Sequence, residues 1–272
     1  MEYNELKGYL EDGMSSREIG KKVGLCYTTV LYWIDKLNLK HLIKNKPIEY
    51  KNEYMFNKID TPEKAYILGF ILADGYIGDK CVVLSVSLAD KEILYYISQI
   101  IGGDVHETTY LDRESRRFPR ARYTIYNKNI LTDINKYGGK KNSRHLPIVR
   151  KDLKRYLILG FFDGDGCITW GRRKDRNRIW QRISFTSQYR LLEGVQNVLI
   201  DEVGVSSKIK PKGKEDCFIL GFSSKKDVLK FLDYIYPNDS FIVLYRKYNK
   251  ANALRLELGE FREDPRTLSE TI

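Results

Sequence analysis

The chain has 272 residues, 42% of them hydrophobic, with 47 lysines and arginines against 36 aspartates and glutamates and a formal net charge of +11. That length and apolar content suit one or two domains with sizeable cores, and no apolar run approaches the ~18 residues of a membrane-spanning helix. The basic excess favours a polyanionic partner, nucleic acid first, over an acidic protein. Cys26, Cys81, Cys167 and Cys217 are scattered without a Cys-x-x-Cys pair, so they read as reduced thiols and not as a zinc site. The N-terminus lacks a signal-peptide pattern. Cytoplasmic placement in a bacterial or phage-encoded setting is the expectation, with an organelle as the alternative.

Residues 1–40 are expected to form a small all-α unit. Leu6, Leu10, Ile19, Val23, Val30 and Ile34 recur at three- and four-residue spacing and mark three short helices. Ser15 with Glu18 is a capping box for the second helix, and Gly24-Leu25-Cys26 breaks the pattern before the third. The run from Ser15 to Leu25 resembles the helix-turn-helix of recombinases and sigma factors, whose recognition helix turns its first residues to base edges. Tyr27, Thr28, Thr29 and Tyr32 are then candidate DNA contacts, with Arg17 and Lys36 on phosphates. A three-helix packing unit without DNA contact is the alternative. Residues 41–62, rich in lysine and asparagine, read as a basic linker.

From there one order of elements is read twice, over 63–150 and 151–258. In the first stretch, strands are expected over Val82–Leu88, Val105–Tyr110 and Arg120–Tyr126, and helices over Lys91–Ile101 and Ile130–Tyr137. In the second, strands are expected over Cys167–Arg172, Trp180–Thr186, Ser207–Lys212 and Cys217–Phe222. Helices are expected there over Leu191–Val203 and Val228–Ile235, with a last one over Val243–Leu258. Residues 259–272 form a polar tail, expected to fray.

Each stretch opens on an apolar helix of about ten residues, hydrophobic nearly all round and therefore buried. Both helices end in the pattern Gly-Phe-x-x-small-Asp-Gly-x-Ile, from Gly69 to Ile77 and from Gly160 to Ile168. Gly69 with Ala73, and Gly160 with Gly164, lie four apart and share a face. Glycine costs stability inside a helix, so these small residues predict helices whose backbones touch. Asp74 and Asp165 then converge at two helix C-termini, where negative charge is disfavoured. A hard cation would relieve the strain, since carboxylate oxygens are what Mg²⁺ prefers. Two core helices with ordinary Asp-Gly turns are the alternative.

The segments Ile67–Gly75 and Ile158–Gly166 resemble the repeated motif of monomeric, double-motif LAGLIDADG homing endonucleases, a resemblance covering residues 60–258. It implies an α+β fold of pseudo-twofold tandem αββαββα repeats, whose two antiparallel sheets form a saddle for duplex DNA. It implies a site-specific endonuclease holding two or more divalent ions, Mg²⁺ foremost, with Asp74 and Asp165 and the adjoining Gly75 and Gly166. Double-stranded DNA is the implied partner, with no obligate protein partner. Gln188 and Lys247 match the family glutamine and lysine, with Asp90 and Lys141 or Lys140 as first-half counterparts. The earlier acid of the motif is Asp163 in the second copy but Leu72 in the first, so it is no symmetric ligand.

Candidate DNA contacts crowd equivalent hairpins. Arg113, Arg117, Arg120 and Arg122 lie in the first; Arg172, Arg173, Arg176, Arg178 and Arg182 lie in the second, with Lys208 and Lys210 beside them. Two-stranded ribbons fit the major groove, where arginine reads guanine bidentately. The three histidines match no histidine-based nuclease pattern, which leaves metal ions to carry phosphodiester hydrolysis. A DNA-binding regulator and an intron-splicing maturase share the fold. Regulators of this kind typically lose the acids that this chain keeps.

Overall fold

A computed structural model describes residues 2–43, 48–111, 114, 116–139, 144–173, 178–213, 216–237 and 243–259, with only the backbone of Arg173 and Arg178. The chain divides into two compact units, residues 1–49 and 50–272.

The first unit holds α1 (Tyr3–Glu11), α2 (Ser16–Val23) and α3 (Tyr27–Lys36). Its core is Leu6, Leu10, Ile19, Val30, Ile34 and Leu39. The capping box forms: Ser15 Oγ accepts the Glu18 N–H, and the Glu18 carboxylate accepts the Ser15 N–H at 2.7 Å. Gly24, at φ 70°, closes α2 in the left-handed conformation that favours glycine. Gly20 lets the next turn fold tightly, because a Cβ there would lie 2.7 Å from the Leu25 carbonyl oxygen. Tyr27, Thr28 and Tyr32 are exposed on α3, and Thr29 is half-buried.

The second unit is built around two helices packed on each other, α4 (Pro62–Asp74) and α7 (Lys151–Asp165). Both are longer than the apolar pattern suggested. Thr61 caps α4, accepting the Lys64 N–H, and Pro62 fits the first helical position. A polar turn with Asp152 starts α7, where negative charge suits the helix dipole. After α4 come β1 (Tyr76–Ile77), β2 (Val82–Ser87), α5 (Lys91–Ile101), β3 (Val105–Leu111), β4 (Arg117–Ile125) and α6 (Lys128–Ile134). After α7 come β5 (Gly166–Arg173), β6 (Arg178–Ser187), α8 (Tyr189–Val198), β7 (Lys208–Pro211), β8 (Phe218–Phe222), α9 (Lys225–Ile235) and α10 (Tyr245–Glu257). The fold is α+β, with two antiparallel four-stranded sheets ordered β1-β2-β4-β3 and β5-β6-β8-β7.

Three expectations need adjustment. β1 was not foreseen, since two residues carry no readable alternation. α6 stops at Ile134, because the chain kinks at Tyr137 and Gly138, the latter at φ 88°. Residues 50–59, assigned to a linker, pack onto the repeats: Met55 and Phe56 are buried, and the Lys51 N–H donates to the Ile101 carbonyl at 2.8 Å. Two apolar residues in a lysine- and asparagine-rich stretch make no period, so that anchorage was invisible.

Candidate active site and nucleic-acid interface

The α4–α7 contact is backbone on backbone. A Cβ on Gly69 would lie 2.1 Å from the Leu157 carbonyl oxygen, and one on Gly160 would lie 2.0 Å from that of Tyr66. Near the end of the pair, a Cβ on Gly164 would lie 2.4 Å from Ala73 Cβ and 3.4 Å from Asp74 Cβ. Asp74 and Asp165, the last residues of their helices, are thereby brought together. Burial, and then the neighbouring Asp74, push the Asp165 carboxyl up to about 7; a Ser187 hydrogen bond, Lys247 and Arg144 oppose the rise. Asp74 keeps an open edge to solvent, yet its carboxyl is also raised by burial, with Lys247 and Arg120 opposing and Asp90 adding to it.

Gly75 and Gly166 follow these acids at φ −78° and −84°, ordinary extended backbone. Space explains them: a Cβ would lie 2.3 Å from the Ile71 carbonyl oxygen in one case and 2.0 Å from the Phe162 ring in the other. The Gly75 carbonyl, expected beside a metal, accepts an N–H from Arg144 at 3.3 Å. A guanidinium on that oxygen competes with a cation. Among the described residues no three His, Cys, Asp or Glu side chains gather into a cage. The donor set is therefore two convergent carboxylates, one raised partly by the other. It fits Mg²⁺, which keeps several waters and completes its shell with phosphate oxygens.

Lys247, expected as a water-ordering lysine, is placed differently. Its Nζ donates to the carbonyls of Phe162, Asp163 and Gly164 at 2.6, 2.7 and 3.3 Å. These are last-turn carbonyls of α7, where a cation suits the helix dipole; that of Phe162 also accepts the Gly166 N–H. All three ammonium donors are taken, so Lys247 holds the backbone that carries Asp165. Burial lowers its pKa against the pull of Asp163. Lys247→Met strips charged donors from three carbonyls and is expected to cost about 2–3 kcal/mol, read as a lower urea midpoint with unchanged slope.

Asp163 is buried and structural. It accepts the Tyr66 hydroxyl at 2.7 Å, the Leu244 N–H at 2.9 Å and the Tyr236 hydroxyl at 3.4 Å. It thus ties α4 and α7 to the end of α9 and the start of α10. Gln188 stands half-buried at the start of α8, while its counterpart Asp90 stands at the start of α5 and takes the Arg246 guanidinium on both oxygens at 3.0–3.2 Å. That ion pair joins the first repeat to α10. Lys141 lies outside the described residues. Ser187 and Arg246 adjoin Gln188 and Lys247 in the segments read for those residues but were given no role of their own, and Arg144 lies in a connector that no motif marks.

Cross-strand partners share a face of a sheet, and this sorts the basic residues. In the first sheet Val82, Leu84, Val86, Ala121, Tyr123 and Ile125 face the core. Arg122, paired with Ser85 and His106, and Arg120, paired with Ser87 and Thr108, lie on the opposite, open face. Arg117 pairs with Leu111 in the core-side register at the outer end of the hairpin. In the second sheet Arg182 pairs with Thr169, and Lys208 with Gly221, on the open face. Lys210 shares that register, and Gly221 leaves room for the Arg182 guanidinium. Arg173 and Arg178 pair there at backbone level. Arg172 is the exception: its register follows buried Ile168, and it forms a 2.7 Å ion pair with Glu257 on α10, so it is committed away from the open face. Arg113 and Arg176 lie outside the described residues.

Two pseudo-equivalent α+β repeats thus meet through glycine-lined helices that end in paired acids. Residues 152–236 match the LAGLIDADG-like domain family. The homing endonuclease I-WcaI bound to its DNA recognition sequence superposes with a TM-score of 0.52 at 16% identity, over 77% of this chain and 96% of that one. The meganuclease I-SmaMI bound to uncleaveable DNA gives 0.50 at 14% identity, over 74% and 91%. The chain has the LAGLIDADG homing endonuclease fold. In sequence it is 26% identical over 200 residues to the ribonucleoside-diphosphate reductase NrdEB subunit alpha of Bacillus subtilis (strain 168). It is 25% identical over 209 residues to the glutamine–fructose-6-phosphate aminotransferase of Methanocaldococcus jannaschii. These matches take in 66% and 73% of the chain but only 18% of each relative. Among the described residues no helix is long and apolar enough to cross a membrane.

Proposed function

We propose that this protein is a site-specific DNA endonuclease acting as a monomer on a long duplex target, with divalent metal, Mg²⁺ foremost, at Asp74 and Asp165. The observation that carries this reading is the convergence of those two carboxylates between two sheets with basic open faces. In it, Arg122, Arg182, Lys208 and Lys210 approach the duplex, and α3 with Tyr27, Thr28, Thr29 and Tyr32 extends the contact. A bound Mg²⁺ supplies phosphate polarisation and a more acidic water. The chain's own work is positional: the α4–α7 backbone contact sets the separation of the acids, Lys247 fixes the last turn of α7, and Ser187 orients the Asp165 carboxylate. Gln188, at the α8 cap, is the polar side chain assigned to water in the second half.

The test is a randomised duplex library incubated with Mg²⁺ and again with EDTA. Metal-dependent breaks at one long site, lost in Asp74→Asn, are the expected result. Specific retention without breaks would instead mark a regulator, and retention of structured RNA alone a maturase.

A further inference from the structure

Two arginines stand out against the rest. Arg172, Arg246, Arg255 and Arg150 each pair with a carboxylate, on Glu257, Asp90, Asp233 and Asp152. Arg120 and Arg144 are half-buried and form no such pair among the described residues. Each spends one Nη2 donor on a backbone carbonyl: Arg120 on Ser85 at 2.7 Å, Arg144 on Gly75 at 3.3 Å. Each also carries a buried Nε with no hydrogen-bond partner among the described residues. An unsatisfied donor on a partly desolvated cation is costly, and the cost is incurred twice, at one place. Arg120 acts electrostatically on Asp74, and Arg144 on Asp165.

The two side chains do not come from equivalent positions. Counted from the matching core pairs Val82–Ile125 and Ile183–Phe222, Arg120 on β4 corresponds to Cys217, just before β8. Arg144 comes from the connector before α7. One arginine per acid, beside the shared Lys247, has thus been reached by two routes, which argues against a by-product of duplication.

We propose that Arg120 and Arg144 are phosphate clamps, one for each DNA strand, that complete their unsatisfied guanidinium donors on the backbone beside Asp74 and Asp165 respectively. This rests on the endonuclease reading above. A guanidinium offers two parallel N–H groups to a phosphate, and carbonyl anchoring holds each fork near its acid before DNA arrives. Because the clamps differ in origin, the two strands meet unlike surroundings.

The full-length protein is titrated onto the duplex it retains, in EDTA, across a salt series. Arg120→Met and Arg144→Met should each reduce the log–log salt slope by about 0.9, the signature of one lost phosphate contact. Arg→Lys at either site should keep the slope. A guanidinium that merely braces Ser85 or Gly75 would leave the slope unchanged, and that result overturns the proposal. With Mg²⁺ and separately end-labelled strands, each Met variant should slow one strand by roughly 100-fold and spare the other, the affected strand differing between the two. Equal slowing of both strands, or the same strand in both variants, overturns the assignment. Melting curves identify a variant that fails to fold, and the Lys forms then carry the test. A wild-type protein that cuts no duplex defeats the endonuclease reading, while the salt slopes still decide whether the arginines hold phosphate.

Discussion

Asp165→Asn is expected to abolish double-strand cleavage and to make the metal-free protein more stable at pH 8, by roughly 2 kcal/mol. The carboxyl sits at about 7 in the folded protein against ~3.9 in an unfolded chain. The folded state therefore holds a proton that the unfolded state releases between those values. Stability falls as pH rises from about 4 to about 7, and the loss is complete above 7. The full interval would be worth about 4 kcal/mol at 1.36 kcal/mol per unit; coupling to Asp74 and partial solvent access bring the expected gain to about half. Denaturant titrations in EDTA should show the variant more stable than wild type at pH 8 and level with it at pH 4. Mg²⁺ should stabilise the wild type and not the variant, by ligand linkage. A variant less stable at pH 8 would mean that burial and the neighbouring Asp74 do not penalise the charged Asp165 carboxylate as placed.

Gly160→Val should remove the cooperative fold of the second unit altogether. Even the first added carbon would sit 2.0 Å from the Tyr66 carbonyl oxygen and 3.0 Å from the Phe70 nitrogen. Both are main-chain atoms of a buried helix and have no rotamer by which to yield. Separating α4 from α7 would open the middle of the core, which places the cost above about 5 kcal/mol, comparable to the stability of a whole domain. Gly8 on α1 is the control, since nothing lies within 4 Å of its missing Cβ. Gly8→Ala should stabilise the first unit by about 0.5–1 kcal/mol through helix propensity and a less free unfolded chain. Circular dichroism during urea titration distinguishes the two; a folded Gly160→Val protein would deny the close helix approach.

The duplicated motif was legible because it is made of constraints that act along the chain. Gly69, Ala73, Gly160 and Gly164 have few uses at four-residue spacing on an apolar helix, and Asp74 and Asp165 follow at fixed distance. The sheets were legible where alternation ran six residues or more, as in β2 and β6. What escaped was set by contacts across the chain. Lys247 sits in the segment expected of it, but no local pattern says that its donors end on the α7 carbonyls. Arg172 reads like its neighbours, and only β5 register and Glu257 turn it away. Arg144 lies in an irregular connector, where spacing carries no information, and Met55 and Phe56 gave too short a signal to mark their anchorage.

The contact between α4 and α7 has a consequence for how such a protein can change. The separation of the two acids is set by main-chain atoms touching main-chain atoms, a ruler that side-chain substitution elsewhere leaves unaltered. The open faces of the sheets hang from that ruler, held by residues on their opposite faces. Positions such as Ser85, Arg122, Thr169 and Arg182 can therefore be rewritten while the spacing of Asp74 and Asp165 keeps its dimensions. On the endonuclease reading, a lineage on this scaffold can follow a drifting target, and an engineer can redirect it, by editing one side of two sheets.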